Sequence, residues 1–214
     1  MSVMPVICPT ITATNTAHYR KELENIQGFA GRIHIDFMDG IFAPVRSVPI
    51  SKVWWQPGPL VDLHVMYKRP MKELENIVML QPHLVVVHAE AEDILDFLKE
   101  LEDLGIKRGL ALLQKTPVEN IRELLPQLDH VLIFSGDLGH HGGTADITLL
   151  HKAQLLKKYK PSLEIGWDGG INDENALVLV AGGVDVLNVG GYIQNAENPE
   201  EAYDRLKEVI KEGN

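Results

Sequence analysis

Cysteine is nearly absent from the 214-residue chain: Cys8 stands alone, so no internal disulfide is available. No apolar run approaches the roughly 20 residues needed to span a bilayer, and no membrane passage is expected. Basic side chains are in deficit, with 20 Lys and Arg against 30 Asp and Glu and a formal net charge of −10. Phosphate backbones are held mainly by clustered Lys and Arg, so a nucleic acid is not an expected partner. The same balance says little about a small anionic ligand. The opening MSVMPVICPTI lacks the basic, then apolar, then small-residue order of a secretory signal, and the expected compartment is the cytosol. Linkers, low-complexity tracts and sequence repeats are missing too. Residues 1–214 are therefore expected to form a single domain, a length sufficient for one large core.

Against these absences stands a regular alternation. Short apolar, β-branched runs recur at PVICPTI (5–11), RIHIDFM (32–38), LVDLHVM (60–66), HLVVVHA (83–89), RGLALL (108–113), HVLIFS (130–135), LEIGWD (163–168) and VDVLNVG (184–190). Segments with helical spacing lie between them: AHYRKELENI, PMKELENIVML, AEDILDFLKELEDLG, PVENIRELL, ENALVLVAGG and a closing PEEAYDRLKEVIKE. Gly105, Gly182 and Pro199 punctuate the junctions. Strand and helix in strict alternation imply a parallel sheet with helical crossovers, and eight units imply an α/β fold of the closed (β/α)8 TIM-barrel type. An open doubly wound sheet is the alternative.

Side chains of a strand alternate between faces, and in a barrel the outer face packs on helices. Apolar Ile33, Ile35 and Phe37 thus face outward, leaving Arg32, His34, Asp36 and Met38 inward. The same rule turns Asp62, His64 and Met66 inward, and likewise Gly166 and Asp168. His34, Asp36, His64 and Asp168 come from three strands near their carboxyl ends, where barrel enzymes place their chemistry. This mixed nitrogen and oxygen set suits one divalent transition metal ion: zinc, iron, manganese or cobalt. Any one of the four read singly is better explained as a hydrogen-bonded core residue, whereas together, at one end of a barrel, they are better explained by function. His88, inward at the end of its strand, has two readings, a site wall or a structural residue.

Taken together, HIDFMDG followed by FAP, then DLHVM, then WDGGI resembles the ribulose-phosphate 3-epimerase family, with CPTIT similar to that family's Ala-Pro-Ser-Ile-Leu start. The resemblance spans essentially the whole chain in order. It implies that His34, Asp36, His64 and Asp168 bind the metal, that Asp36 and Asp168 are the two acid/base residues, and that Thr10 stands at a substrate-contacting serine position, with Met38 and Met66 lining the site. Inverting a carbon beside a ketone requires removing a weakly acidic C–H proton and stabilising the resulting enediolate. A metal suits the second task, and two carboxylates on different strands suit proton transfer on both faces. The implied partner is a small sugar phosphate.

Phosphates are commonly held beyond the last two barrel strands, where DGGI (168–171) and VGGYI (189–193) offer Gly169, Gly170, Gly190 and Gly191. The alternative is that these glycines only shape turns. The stretch FSGDLGHHGGT departs from the family's Met-Thr-Val-Glu-Pro-Gly-Phe-Gly-Gly-Gln: Phe134 replaces a methionine and Thr144 the glutamine. Gly139, Gly142 and Gly143 are expected to contact substrate there. His140 and His141 are either solvated loop residues or a contact to the substrate's distal phosphate or hydroxyl. FAPV lacks the asparagine that follows the family's proline, and VGGYI replaces a Gly-Ser/Thr-Ser/Ala pattern. These departures surround the substrate rather than the metal.

The leading expectation is a metal-dependent 3-epimerase converting D-ribulose 5-phosphate to D-xylulose 5-phosphate. An epimerase of a related hexulose phosphate and a non-catalytic paralogue that binds metal or sugar phosphate are the alternatives. A decarboxylase or hexulose-phosphate synthase of related fold would be expected to carry Asp-x-Lys-x-x-Asp on the third strand, where this chain reads Asp62-Leu63-His64. Adjacent Trp54 and Trp55 are open to two readings, a patch for a second copy in a homo-oligomer or a split between core and surface.

Overall fold

The computed structural model describes residues 4–139 and 143–212. His140, His141 and Gly142, with the expectations attached to them, lie outside the described residues. Eight parallel strands run in chain order around a closed barrel. They are β1 (Val6–Ile11), β2 (Arg32–Met38), β3 (Leu60–Met66), β4 (Leu84–His88), β5 (Lys107–Leu112), β6 (His130–Phe134), β7 (Glu164–Asp168) and β8 (Val186–Val189). Pairing of β1 with β8 from Val6↔Val186 to Pro9↔Val189 closes the ring, which rules out the open-sheet alternative.

The crossovers are α1 (Thr16–Ile26), α2 (Leu74–Leu80), α3 (Ile94–Asp103), α4 (Leu150–Tyr159), α5 (Ala176–Ala181), α6 (Gly191–Gln194) and α7 (Pro199–Glu212). Asn15 caps α1 by accepting the His18 N–H at 2.9 Å. PVENIRELL, expected to be helical, instead forms two 3₁₀ turns, Val118–Ile121 and Leu125–Gln127. Pro126 prevents a helix from running on past the segment, because it has no N–H for the ladder and its ring clashes with the preceding turn. The PMKELENIVML segment opens as a 3₁₀ turn over Pro70–Glu73 before α2 begins. Among the described residues no helix is long and apolar enough to cross a membrane.

Face assignment follows the alternation. Ile33, Ile35 and Phe37 are fully buried in the shell between sheet and helices, together with Tyr19, Leu23 and Ile26 of α1. Inside the barrel, Leu84, Val86, Ala111 and Leu132 form a separate apolar plug. Below it, at the amino ends of the strands, lies an ionic layer. Arg32 donates from Nε to Asp62 at 2.7 Å and from both terminal nitrogens to Glu164 at 2.9 Å, while His130 Nδ1 meets Glu164 at 2.8 Å. The apolar plug seals this layer from the carboxyl mouth, where the remaining inward polar residues gather.

Trp55 packs against the core while Trp54 is 39% exposed, so the two rings divide between core and surface. The Trp54 carbonyl accepts from the Tyr19 hydroxyl at 2.6 Å, and the Arg20 guanidinium lies 5.5 Å from the Trp54 ring centre.

Candidate active site

Register brings the four inward candidates, His34, Asp36, His64 and Asp168, together. On the β2–β3 pair Asp36 stands beside His64 and Met38 beside Met66, so alternation and pairing aim a carboxylate and an imidazole at one point. On the β1–β2 pair Thr10 stands beside His34. Asp168 arrives as the last residue of β7. His64 Nδ1 lies 3.0 Å from Asp36 Oδ1 and 3.4 Å from Asp168 Oδ2. His34 Nε2 lies 3.3 Å and 3.8 Å from the same two oxygens. One ligand atom from each of the four residues falls within 4.8 Å of all the others.

These spacings match what a metal asks for. Ligands roughly 2.0–2.1 Å from a tetrahedral ion stand about 3.3–3.4 Å apart. His34 Nε2 and Asp168 Oδ2 are buried without a well-formed hydrogen bond, a state that an ion between them would relieve. Burial raises the pKa of Asp36, but the adjacent imidazoles of His34 and His64 overcome it and hold the carboxyl well below the usual range. For His64, burial works to lower the pKa, and the two carboxylates reverse it, lifting it to about 9. Asp36 is also held from outside the cluster by the Thr12 hydroxyl, which donates to Oδ2 at 2.6 Å.

The cluster opens into a cavity of about 290 Å³ at the carboxyl end of the barrel, lined by Asp36 and Asp168 and by Thr10, Met38 and Met66. Gly139, Gly143, Gly169, Gly170, Gly190 and Gly191 line it as well. Met38 and Met66 join Ala43 in a buried apolar patch backed by Phe42, Val45 and Leu138, which gives one wall a water-excluding face. Gly169 and Gly170 have φ of +112° and +71°, and an added Cβ would lie 2.2 Å from the Gly136 nitrogen and 2.1 Å from the Ala145 nitrogen. Only glycine lets the β7 loop lie this close to the loop after β6. Gly169 and Gly170 thus shape the turn and border the cavity at once.

His88 is not on the cavity wall. It is fully buried behind the cluster, with Nε2 3.0 Å from His64 Nε2, and burial pushes its pKa down to about 4. Phe134, at the family's methionine position, lines the cavity and lies 5.8 Å from the His64 ring. Thr12 and Asn188 are among the cavity residues that were not singled out from the sequence. Thr12 shares the inward parity of Thr10 just past the end of β1, and Asn188 is the one polar residue in the apolar β8 run. Asn188 pairs in register with Asp168, is 3% exposed, and has no partner for Oδ1. A lone polar side chain at an inward position was the available signal.

Comparison with known proteins identifies the family. The profile of the Ribulose-phosphate 3 epimerase family matches residues 6–194. A ribulose-phosphate 3-epimerase of Helicobacter pylori is 30% identical over 214 residues, covering 95% of this chain and 97% of the relative. One from Candida glabrata is 29% identical, covering 98% and 94%. In fold, the chain is similar to 3-keto-L-gulonate-6-phosphate decarboxylase from Vibrio cholerae, with a TM-score of 0.74 at 13% identity and coverage of 98% and 99%. Sequence match, barrel and clustered residues agree, and the chain belongs to the ribulose-phosphate 3-epimerase family and is an enzyme of the isomerase class.

Proposed function

We propose that this protein is a D-ribulose 5-phosphate 3-epimerase that inverts C3 by transferring protons between two carboxylates, giving D-xylulose 5-phosphate within the pentose phosphate pathway of the cytoplasm. The observation that carries the reading is the pair Asp36 and Asp168, from different strands, facing one cavity with their oxygens inside a 4.8 Å cluster. An epimerase needs a base on one face of a planar intermediate and an acid on the other, and a binding module needs neither. Asp36 is held deprotonated, the form from which a base must start, and the Thr12 hydroxyl fixes its orientation. His34, Asp36, His64 and Asp168 are the residues that would hold a divalent ion, zinc, iron, manganese or cobalt. Bound there, the ion supplies positive charge for the substrate's carbonyl oxygen. Met38 and Met66 keep water from the enediolate, and the Thr10 hydroxyl, buried without a partner, is available to a substrate oxygen. The phosphate is assigned to the backbone at Gly169, Gly170, Gly190 and Gly191, with Gly139 and Gly143 across the cavity.

A second reading, a related hexulose phosphate as substrate, is favoured by Phe134, Asn188 and Tyr192, which line the cavity where this chain departs from the family pattern or adds an unpartnered polar group. A panel of pentulose and hexulose phosphates with their unphosphorylated counterparts separates the readings. The highest kcat/KM is expected on D-ribulose 5-phosphate. A hexulose phosphate turned over faster would transfer the assignment to the second reading, and no turnover on any sugar would leave a non-catalytic binding protein.

A further inference from the structure

His88 takes no part in the chemistry above, yet its placement constrains that chemistry. Its Nε2 faces His64 Nε2 at 3.0 Å, and both rings are fully buried. On the far side, the Glu90 carboxylate lies 3.5 Å from His88 Nδ1. Glu90 is anchored in turn: the Thr116 hydroxyl and the Leu113 N–H, the latter at 3.2 Å, both donate to its Oε1. The rings of Phe42 and Phe134 flank His88 at centroid distances of 4.7 and 5.7 Å.

Two imidazole nitrogens in hydrogen-bond contact must differ in protonation, one carrying the hydrogen and the other the lone pair. The carboxylate breaks the tie. At 3.5 Å no hydrogen bond is formed, but the negative charge of Glu90 beside Nδ1 favours the hydrogen of a neutral His88 on that nitrogen, which leaves Nε2 of His88 as an acceptor. His64 must then donate from Nε2, and its Nδ1 is left to face Asp36 and Asp168 at 3.0 and 3.4 Å. The direction of this row is the same whether His64 Nδ1 holds a proton or a cation.

We propose that His88 and Glu90 are positioning residues that fix the tautomer and ring orientation of His64, so that Nδ1 is the nitrogen presented to a divalent ion at the four-residue cluster. The inference rests on the metal-centre reading given under the proposed function. A ligating histidine whose second nitrogen is anchored in this way keeps its angle and gains basicity, and loss of such an anchor typically weakens metal binding 10- to 100-fold.

The test uses the full-length protein and cobalt(II), with affinity measured by competition against a chromophoric chelator and geometry by the visible absorption of the bound ion. His88→Leu removes the acceptor, and affinity should fall about 10- to 100-fold with an altered cobalt spectrum. His88→Gln keeps an acceptor oxygen and should restore most of the affinity. Glu90→Gln, at an exposed position, removes the charge and provides the reading if His88→Leu does not fold. Long-range ¹H–¹⁵N spectra of the zinc-loaded wild type should show His64 protonated at Nε2 and His88 at Nδ1. Wild-type affinity and spectrum in Glu90→Gln and in folded His88→Leu, or the opposite tautomers, would overturn the inference alone. A wild-type protein that binds no cobalt would overturn it together with the metal-centre reading.

Discussion

Asp36 on β2 stands in register with His64 on β3, and their side chains meet at 3.0 Å between Oδ1 and Nδ1. Parallel pairing makes this contact a property of the sheet rather than of a loop. The site inherits the rigidity of the barrel wall, and its precision depends on the strands staying in register.

A first consequence concerns metal content. The purified protein should hold about one divalent ion per chain, because four nitrogen and oxygen donors make a nearly complete shell. His34→Ala should release the ion and abolish turnover, with content read by elemental analysis. Full activity after metal stripping, with chelator present throughout, would contradict this.

The two carboxylates should separate by isotope exchange. Asp36→Asn and Asp168→Asn should each lower epimerisation by at least about 100-fold, the range of general acid–base catalysis. One of them should still exchange the substrate C3 proton with deuterated solvent, since it keeps a base on one face. Unchanged turnover in either variant removes that carboxylate from the mechanism.

Asn188 carries a buried carboxamide oxygen without a partner, aligned with Asp168. Asn188→Val should raise KM for the preferred sugar phosphate about 3- to 10-fold, the value of one neutral hydrogen bond, while leaving stability equal or higher. A lower melting temperature with unaltered KM would make Asn188 a purely structural residue.

At the opposite end of the barrel, the ionic layer should govern acid stability. Burial raises the Glu164 pKa, but His130 and Arg32 outweigh it and hold the carboxyl well below its ordinary range. A carboxyl depressed on folding adds stability that is complete above its unfolded pKa, about 4.3, and is lost as pH falls from there toward the folded value. Glu164→Gln should therefore flatten the fall in melting temperature below about pH 4.3. Arg32→Met should cost about 3–5 kcal/mol at neutral pH by leaving the Asp62 carboxylate buried without its partner. Parallel acid-melting curves for Glu164→Gln and wild type would contradict the first expectation.

The barrel was legible because each strand carries its own signal, an apolar run whose alternation is set by the period of two. His34, Asp36, His64 and Asp168 were legible for the same reason, as polar residues at inward positions near strand ends. PVENIRELL misled because its apolar spacing is helical while Pro126, one residue on, leaves the stretch too little length to extend into a longer helix. Partners far apart in sequence, such as Arg32 with Glu164 and His64 with His88, depend on how the closed ring staggers its strands, and alternation along one strand carries no information on that stagger. The close approach of Gly169 to Gly136 is likewise a relation between two loops that neither loop announces alone.

Solvent isotope incorporation tests the central claim most directly. Metal-loaded protein is supplied with D-ribulose 5-phosphate in deuterated water, and D-xylulose 5-phosphate isolated at low conversion is examined by ¹H NMR. Two-base epimerisation at Asp36 and Asp168 should place solvent deuterium at C3 of the product and nowhere else. Product that retains its original C3 proton, or no D-xylulose 5-phosphate at all, would contradict it.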